Sequence, residues 1–95
     1  MIVDILVSNP FDTMSEVYLM KFYYLTLGRV FRKLRKEHGF SQEVFSGLAG
    51  IARSHLSAIE NGTKEANLDT LSKIALTVNI SLSELIHMAE EEAEK

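Results

Sequence analysis

The spacing of apolar residues divides the chain into short amphipathic segments punctuated by glycines. Leu27, Val30, Phe31 and Leu34, with His38 at a weaker edge, recur at i, i+3, i+4 and i+7, and basic residues fill the gaps. This is the stripe of a helix with one buried face. Gly39 marks its end, because glycine tolerates the left-handed backbone of a helix C-terminus. Ser41 follows as an N-cap, and Glu43 sits where the helix dipole favours a carboxylate. Val44, Phe45 and Leu48 predict the inward face of a second, short helix that Gly50 closes. A third helix is predicted over about Ala52–Asn61, with Leu56 and Ile59 inward, Ile51 leading in and Gly62 behind it.

A polar loop, Thr63–Asn67, then leads to a fourth helix over about Leu68–Val78. Leu68, Leu71, Ile74, Ala75 and Val78 form its predicted inward stripe, and Asn79 stops it. Ser81 and Glu84 have the spacing of a capping box. Leu82, Leu85, Ile86 and Ala89 carry a fifth helix beyond it.

Upstream of this region, Ile2–Val7 has the β-rich composition of a strand or extended arm, and Ser8-Asn9-Pro10 is a turn signal. Helical character starts near Thr13 or Ser15. Val17, Leu19, Met20, Phe22, Tyr23, Tyr24, Leu25 and Leu27 are too densely apolar for a one-sided surface helix. Either a partner chain covers this stretch or part of it is not regular helix. The expected organisation is an N-terminal extension over 1–24, an all-α five-helix domain over 25–89 and an acidic tail over 90–95.

Composition narrows the class of protein. The chain has 95 residues, 46 % of them hydrophobic and 24 % charged, and no cysteine. That length suits one compact domain, and the balance is that of a folded globule. Disulfides and cysteine metal sites are excluded. The apolar start, Met1–Val7, is too short to span a bilayer and lacks the basic start of a secretory signal. A cytoplasmic protein with no membrane association is expected.

The formal net charge is −3, which at first sight disfavours nucleic acid. The distribution reverses that impression. From Arg29 to Lys64 seven cations face three carboxylates, a net +4, and the remainder carries −7, much of it in Glu90, Glu91, Glu92 and Glu94. A basic middle with an acidic end is polarised, and one face can attract phosphate.

The unit with functional content is Ser41–Gly62. Its two short helices are joined by little more than Ala49-Gly50-Ile51, too short for an antiparallel hairpin. The helices must cross steeply, which projects the second as a rod. Such a rod fits the major groove of B-DNA.

Residues 27–86 resemble the Cro/CI-type, or XRE-type, helix-turn-helix proteins. The matching features are Leu34-Arg35 before Gly39, Ser41-Gln42-Glu43, Leu48-Ala49-Gly50, and Leu56-Ser57-Ala58-Ile59-Glu60-Asn61-Gly62. Leu68–Leu71, Ile74-Ala75 and Ser83-Glu84-Leu85 continue the match in order. The resemblance implies a lambda-repressor-like domain that binds double-stranded DNA, usually as a homodimer. It implies DNA contact at Ser41 and Gln42: Gln42 buttresses the recognition helix and touches backbone or base, and the amide there meets a phosphate. It places base reading at Ala52, Arg53, Ser54 and Ser57, and phosphate contact at Asn61 and Lys64. Arg35 and Glu60 correspond to a structural ion pair between the first helix and the recognition helix. The chain departs from the pattern at Ala52, where many members place a capping serine or threonine, and at Ala58, where a longer polar residue is common.

Other chemistry finds little support. His38, His55 and His87 fall on separate elements, and no phosphate-cradling glycine loop is present, so neither an enzyme nor a cofactor is expected. His87 and Glu91 lie four apart on one helix face, a spacing that more often marks a solvated pair than a metal site. The expected function is transcriptional regulation, as a repressor, autoregulator or restriction-modification controller. The alternative is an antitoxin-like module that binds another protein as well as DNA.

Overall fold

The computed structural model describes the backbone of residues 13–94 and the side chains of residues 23–94. Five helices make up this portion, and among the described residues there is no strand. They are α1 (Thr13–Glu37), α2 (Gln42–Ala49), α3 (Arg53–Glu60), α4 (Leu68–Thr77) and α5 (Leu82–Ala93). The arm expected at Ile2–Val7 lies outside the described residues.

Helix α1 is 25 residues long and passes residue 24 without a break. The densely apolar stretch is therefore regular helix from Thr13 onward. Leu27, Val30, Phe31 and Leu34 turn one face of α1 into the core, as their spacing predicts. They meet Phe45 and Ala49 of α2, Leu56 and Ile59 of α3, Leu71, Ile74 and Ala75 of α4, and Leu85 and Ala89 of α5. Each fully buried Phe, Leu or Ile side chain contributes about 1.5–3 kcal/mol.

Five expected positions differ. His38 lies beyond the end of α1 and is exposed; its Nδ1 is 2.8 Å from the Leu34 carbonyl oxygen and its ring stacks on Phe40. Val44 and Leu48 of α2 are 48 % and 61 % exposed. The buried side of α2 is Phe45, Ser46 and Ala49, turned about 100° from the 44/48 stripe. Two of those side chains are small, which lets neighbouring helices approach closely. Ser46 is tolerated there because its hydroxyl donates to the Glu43 carbonyl at 3.1 Å. Leu68 opens α4 and is 65 % exposed, while Thr70 turns inward instead. Ile86 is also left exposed, with Leu85 and Ala89 as the buried pair of α5. Helix α5 continues to Ala93, so Glu90, Glu91 and Glu92 are helical.

The caps are mostly those the sequence marks. Ser41 accepts from the Val44 N–H at 3.1 Å, and Ser81 accepts from the Glu84 N–H at 3.0 Å. The Ser81 hydroxyl donates to Glu84 Oε1 at 3.3 Å, so the Glu84 carboxylate meets the hydroxyl of its capping partner and not the backbone N–H that the capping box predicts. Asn79 stops the chain after α4 with a φ of 58°, a left-handed conformation that asparagine accepts more readily than most residues. Asn67, which the sequence reading leaves as loop, caps α4 by accepting from the Thr70 N–H at 2.9 Å.

Helix α3 begins without such help. Ala52 has the extended backbone of an N-cap, φ −67° and ψ 140°, but no side-chain bond to the helix. Ser41, Asn67 and Ser81 cap from nearly the same conformation. Ala52→Ser is therefore expected to stabilise the domain by about 0.5–1 kcal/mol. In a chain of this size that raises Tm by about 2–8 °C. An unchanged or lower Tm by calorimetry would show that a serine hydroxyl does not reach the free amides here.

Candidate nucleic-acid interface

The projection of α3 starts at Gly50. Its φ of 72° and ψ of 33° end α2 in the left-handed region, which glycine adopts without a Cβ penalty. Its N–H bonds the Gly47 carbonyl, and the Ile51 N–H bonds the Ser46 carbonyl at 3.0 Å. The chain then passes through Ile51 and the extended Ala52 into α3, which begins at Arg53. Leu56, Ile59 and Glu60 anchor its inner side. Ala52, Arg53 and Ser54 are exposed at its N-terminal end, and His55, Ser57 and Ala58 are half-buried.

The inner end of α3 is fixed by one carboxylate. Glu60 has a fully buried side chain, and Arg35, 12 % exposed, grips it with two hydrogen bonds. Arg35 Nε donates to Oε2 at 2.8 Å and Nη2 donates to Oε1 at 2.9 Å. Its Nη1 donates to the Phe40 carbonyl at 3.0 Å, tying in the turn between α1 and α2. Gln42 Nε2 donates to Glu60 Oε1 at 3.1 Å, so the first residue of α2 also holds α3. Burial pushes the Glu60 carboxyl up, but the donors of Arg35, Gln42 and Arg32 outweigh it and hold the group below its ordinary value. The same contact raises the Arg35 pKa further, its hydrogen bond to Glu60 outweighing burial.

After α3 the chain is drawn back onto α1. Gly62, with a φ of 76°, packs against Leu25 so closely that a methyl group there would collide with it. The Tyr24 hydroxyl donates to the Glu65 carboxylate, which raises the phenol above its ordinary pKa. The Thr63 N–H and hydroxyl both bond the Ala58 carbonyl. Asn61 and Lys64 are exposed at this edge.

The predicted positions fall in two groups along the chain. Ser41, Ala52, Arg53 and Ser54 are exposed and Ser57 is partly so; Asn61 and Lys64 lie at the opposite end of α3. Ser41 spends its side chain on the α2 cap and Gln42 on Glu60. Arg32 is a further member of this cluster that the helix-turn-helix resemblance does not mark. It donates to Asn61 Oδ1 at 3.0 Å and lies 3.5 Å from Glu60 Oε1. Its place one turn before Arg35 on the same helix face is the signal that could have found it. His87 and Glu91 form an exposed pair at 2.9 Å, and no cluster of three metal-ligating side chains occurs among the described residues. No helix there is long and apolar enough to cross a membrane.

A family model described as helix-turn-helix matches residues 31–85. The chain belongs to this XRE-type helix-turn-helix family. Among its helix-turn-helix relatives, the control protein C.MunI of Mycoplasma sp is 39 % identical over 69 residues, 72 % of this chain and 93 % of that protein. The restriction-modification controller protein C.AhdI of Aeromonas hydrophila is 32 % identical by structure, with a TM-score of 0.62 over 65 % of this chain and 94 % of that one. The biofilm regulator SinR, solved in complex with DNA, is 30 % identical with a TM-score of 0.60, over 63 % of this chain and 97 % of that one. The helix-turn-helix match covers α2, α3 and α4 with most of the core, and leaves out α1 before Phe31 and most of α5.

Proposed function

We propose that this chain is a sequence-specific double-stranded DNA-binding transcriptional regulator of the repressor or restriction-modification controller type, acting as a homodimer on a palindromic operator. The observation that carries the reading is the two-sidedness of α3. Its inner side is locked by Leu56, Ile59 and Glu60, while Arg53 and Ser54 stand in solvent at its leading end. A helix held this way enters the major groove N-terminus first, with those side chains at the base edges. Ser41 and the α2 N-terminus then face the phosphate backbone. The kinship with named control proteins and with a DNA-bound regulator supports the same reading. Leu76 and Ile86, large apolar side chains left exposed, offer surface for a second copy to cover.

Selection of bound sequences from a random duplex pool tests the proposal in one experiment. A palindrome with half-sites about one helical turn apart is the expected product. An unpaired site would remove the homodimer, and no enrichment would remove sequence recognition. Within the selected site, Arg53 is the strongest candidate reader, because guanidinium donates twice to guanine O6 and N7. Arg53→Ala is expected to cost about 1–3 kcal/mol on the selected duplex and less on a scrambled one. Equal losses in fluorescence anisotropy titrations would make Arg53 a phosphate contact instead.

A further inference from the structure

Helix α1 is longer than the core it serves. Its 25 residues span about 37 Å. The described core takes side chains from α1 only from Thr26 and Leu27 onward, and just ahead of them Tyr23 and Leu25 are 39 % and 42 % exposed. Residues 13–22 add about three further turns of helix before that point. A helical segment this short is marginal in water, so its apolar positions need a packing partner.

One row of positions runs through both parts of the helix. Val17, Met20, Tyr24, Leu27, Phe31 and Leu34 are spaced alternately by three and four residues, the a and d positions of a heptad repeat. Leu27, Phe31 and Leu34 are buried in the domain's own core. Val17, Met20 and Tyr24 carry the same row on toward the N-terminus. Between Thr13 and Gly28 the charged residues are Glu16 and Lys21 alone. Glu16 precedes the a position Val17, and Lys21 follows the d position Met20. They therefore hold g and e positions, which flank the row on opposite edges.

That charge pattern selects the occupant. In two parallel helices in register, each g position faces the e position five residues further on in the other copy. Glu16 and Lys21 have this separation, so a second copy brings two opposite-charge pairs to the edges of one apolar seam. An antiparallel pair sets g against g and e against e, like charge against like. Val17, β-branched at an a position, also suits a two-stranded parallel seam.

We infer that the N-terminal part of α1 pairs in parallel with the same segment of a second copy, along the row Val17, Met20 and Tyr24 with Glu16 and Lys21 at its edges. The two helices part after Tyr24, where each row turns into its own core at Leu27. The twofold axis runs between them and relates the two α3 helices, as a palindromic site requires. The inference rests on the homodimer proposed above and gives it an interface outside residues 31–85, the part matched by the helix-turn-helix family.

Sedimentation equilibrium of the full chain over a concentration series tests the pairing. Glu16→Lys sets two like-charge pairs across the seam, and so does Lys21→Glu. Each is expected to weaken self-association about tenfold at low salt. The double replacement, Glu16→Lys with Lys21→Glu, should return to within about threefold of the wild type. An equimolar mixture of the two single variants should recover as well, because each chain supplies the charge that the other lacks. Recovery on mixing is specific to contact between chains: were residues 1–12 of the same chain to cover the row instead, mixing would gain nothing. Single variants that match the wild type, or a mixture no stronger than either alone, overturn the pairing. If Ile86→Glu then dissociates the chain, the proposed homodimer stands with α5 as its interface. A wild-type chain that stays monomeric throughout and selects an unpaired site overturns both.

Discussion

Replacing Arg35 with methionine is expected to destabilise the domain by about 3–5 kcal/mol, because it strands a buried carboxylate. A domain of this length holds only about 5–15 kcal/mol in total, so the loss is a large share of its stability. The number is large for what remains behind, not for what the pair contributes. Two charges taken out of water lose hydration that their attraction only partly returns. The double variant Arg35→Met with Glu60→Leu should accordingly recover most of the loss in urea denaturation. The pH dependence has a definite sign. The folded-state pKa of Glu60 lies below its unfolded value of about 4.3. The wild type keeps this stability above that pH and loses it as pH falls through the lower folded value. Without Arg35, burial has fewer donors to oppose it, and acid costs the variant less. The gap between the two proteins should therefore narrow between pH 7 and pH 3. A loss under about 1 kcal/mol at pH 7 would mean that Gln42 and Arg32 satisfy Glu60 by themselves.

Gly28→Ala is expected to destabilise by about 2–3 kcal/mol, although alanine is the better helix former by about 1 kcal/mol. A methyl group at Gly28 would land on the Ile59 carbonyl oxygen, 3.1 Å from the carbonyl carbon and 3.2 Å from the Glu60 Cα. These are backbone atoms of α3, so no side chain can swing aside. Helix α1 would have to lift from α3 just where Arg35 holds Glu60. Gly47 supplies the control. It lies within α2, and a methyl group there meets nothing within 4 Å. Gly47→Ala should therefore stabilise by about 0.5–1 kcal/mol. Thermal denaturation that moved both variants in the same direction would refute the close-approach account.

The sequence made the helices legible and left part of their facing obscure. Leu27, Val30, Phe31 and Leu34 obey a 3.6-residue repeat over enough turns to fix which side is buried. Helix α2 has eight residues, and there Val44 and Leu48 suggest one stripe while Phe45 and Ala49 form the real one. Two turns carry too little periodicity to decide between rows about 100° apart. Leu68 misleads for a related reason: it stands at a helix start, where the inward side depends on how the loop enters. The Arg35–Glu60 pair follows from family resemblance, and the structure brings those side chains together. The buttressing role of Gln42 follows from the same resemblance, and the structure joins its amide to Glu60. Arg32 escapes because its bond to Glu60 is tertiary, spanning 28 residues, and its place one turn before Arg35 is the one local hint of it.

Helix α3 divides its labour by side. Leu56, Ile59 and Glu60 answer to the interior, whereas Arg53 and Ser54 have no part in the core. Their replacement leaves every buried contact in place. Descendants of such a chain are free to change those two outward positions one at a time, without passing through unfolded intermediates. An engineer randomising those two positions inherits the same freedom.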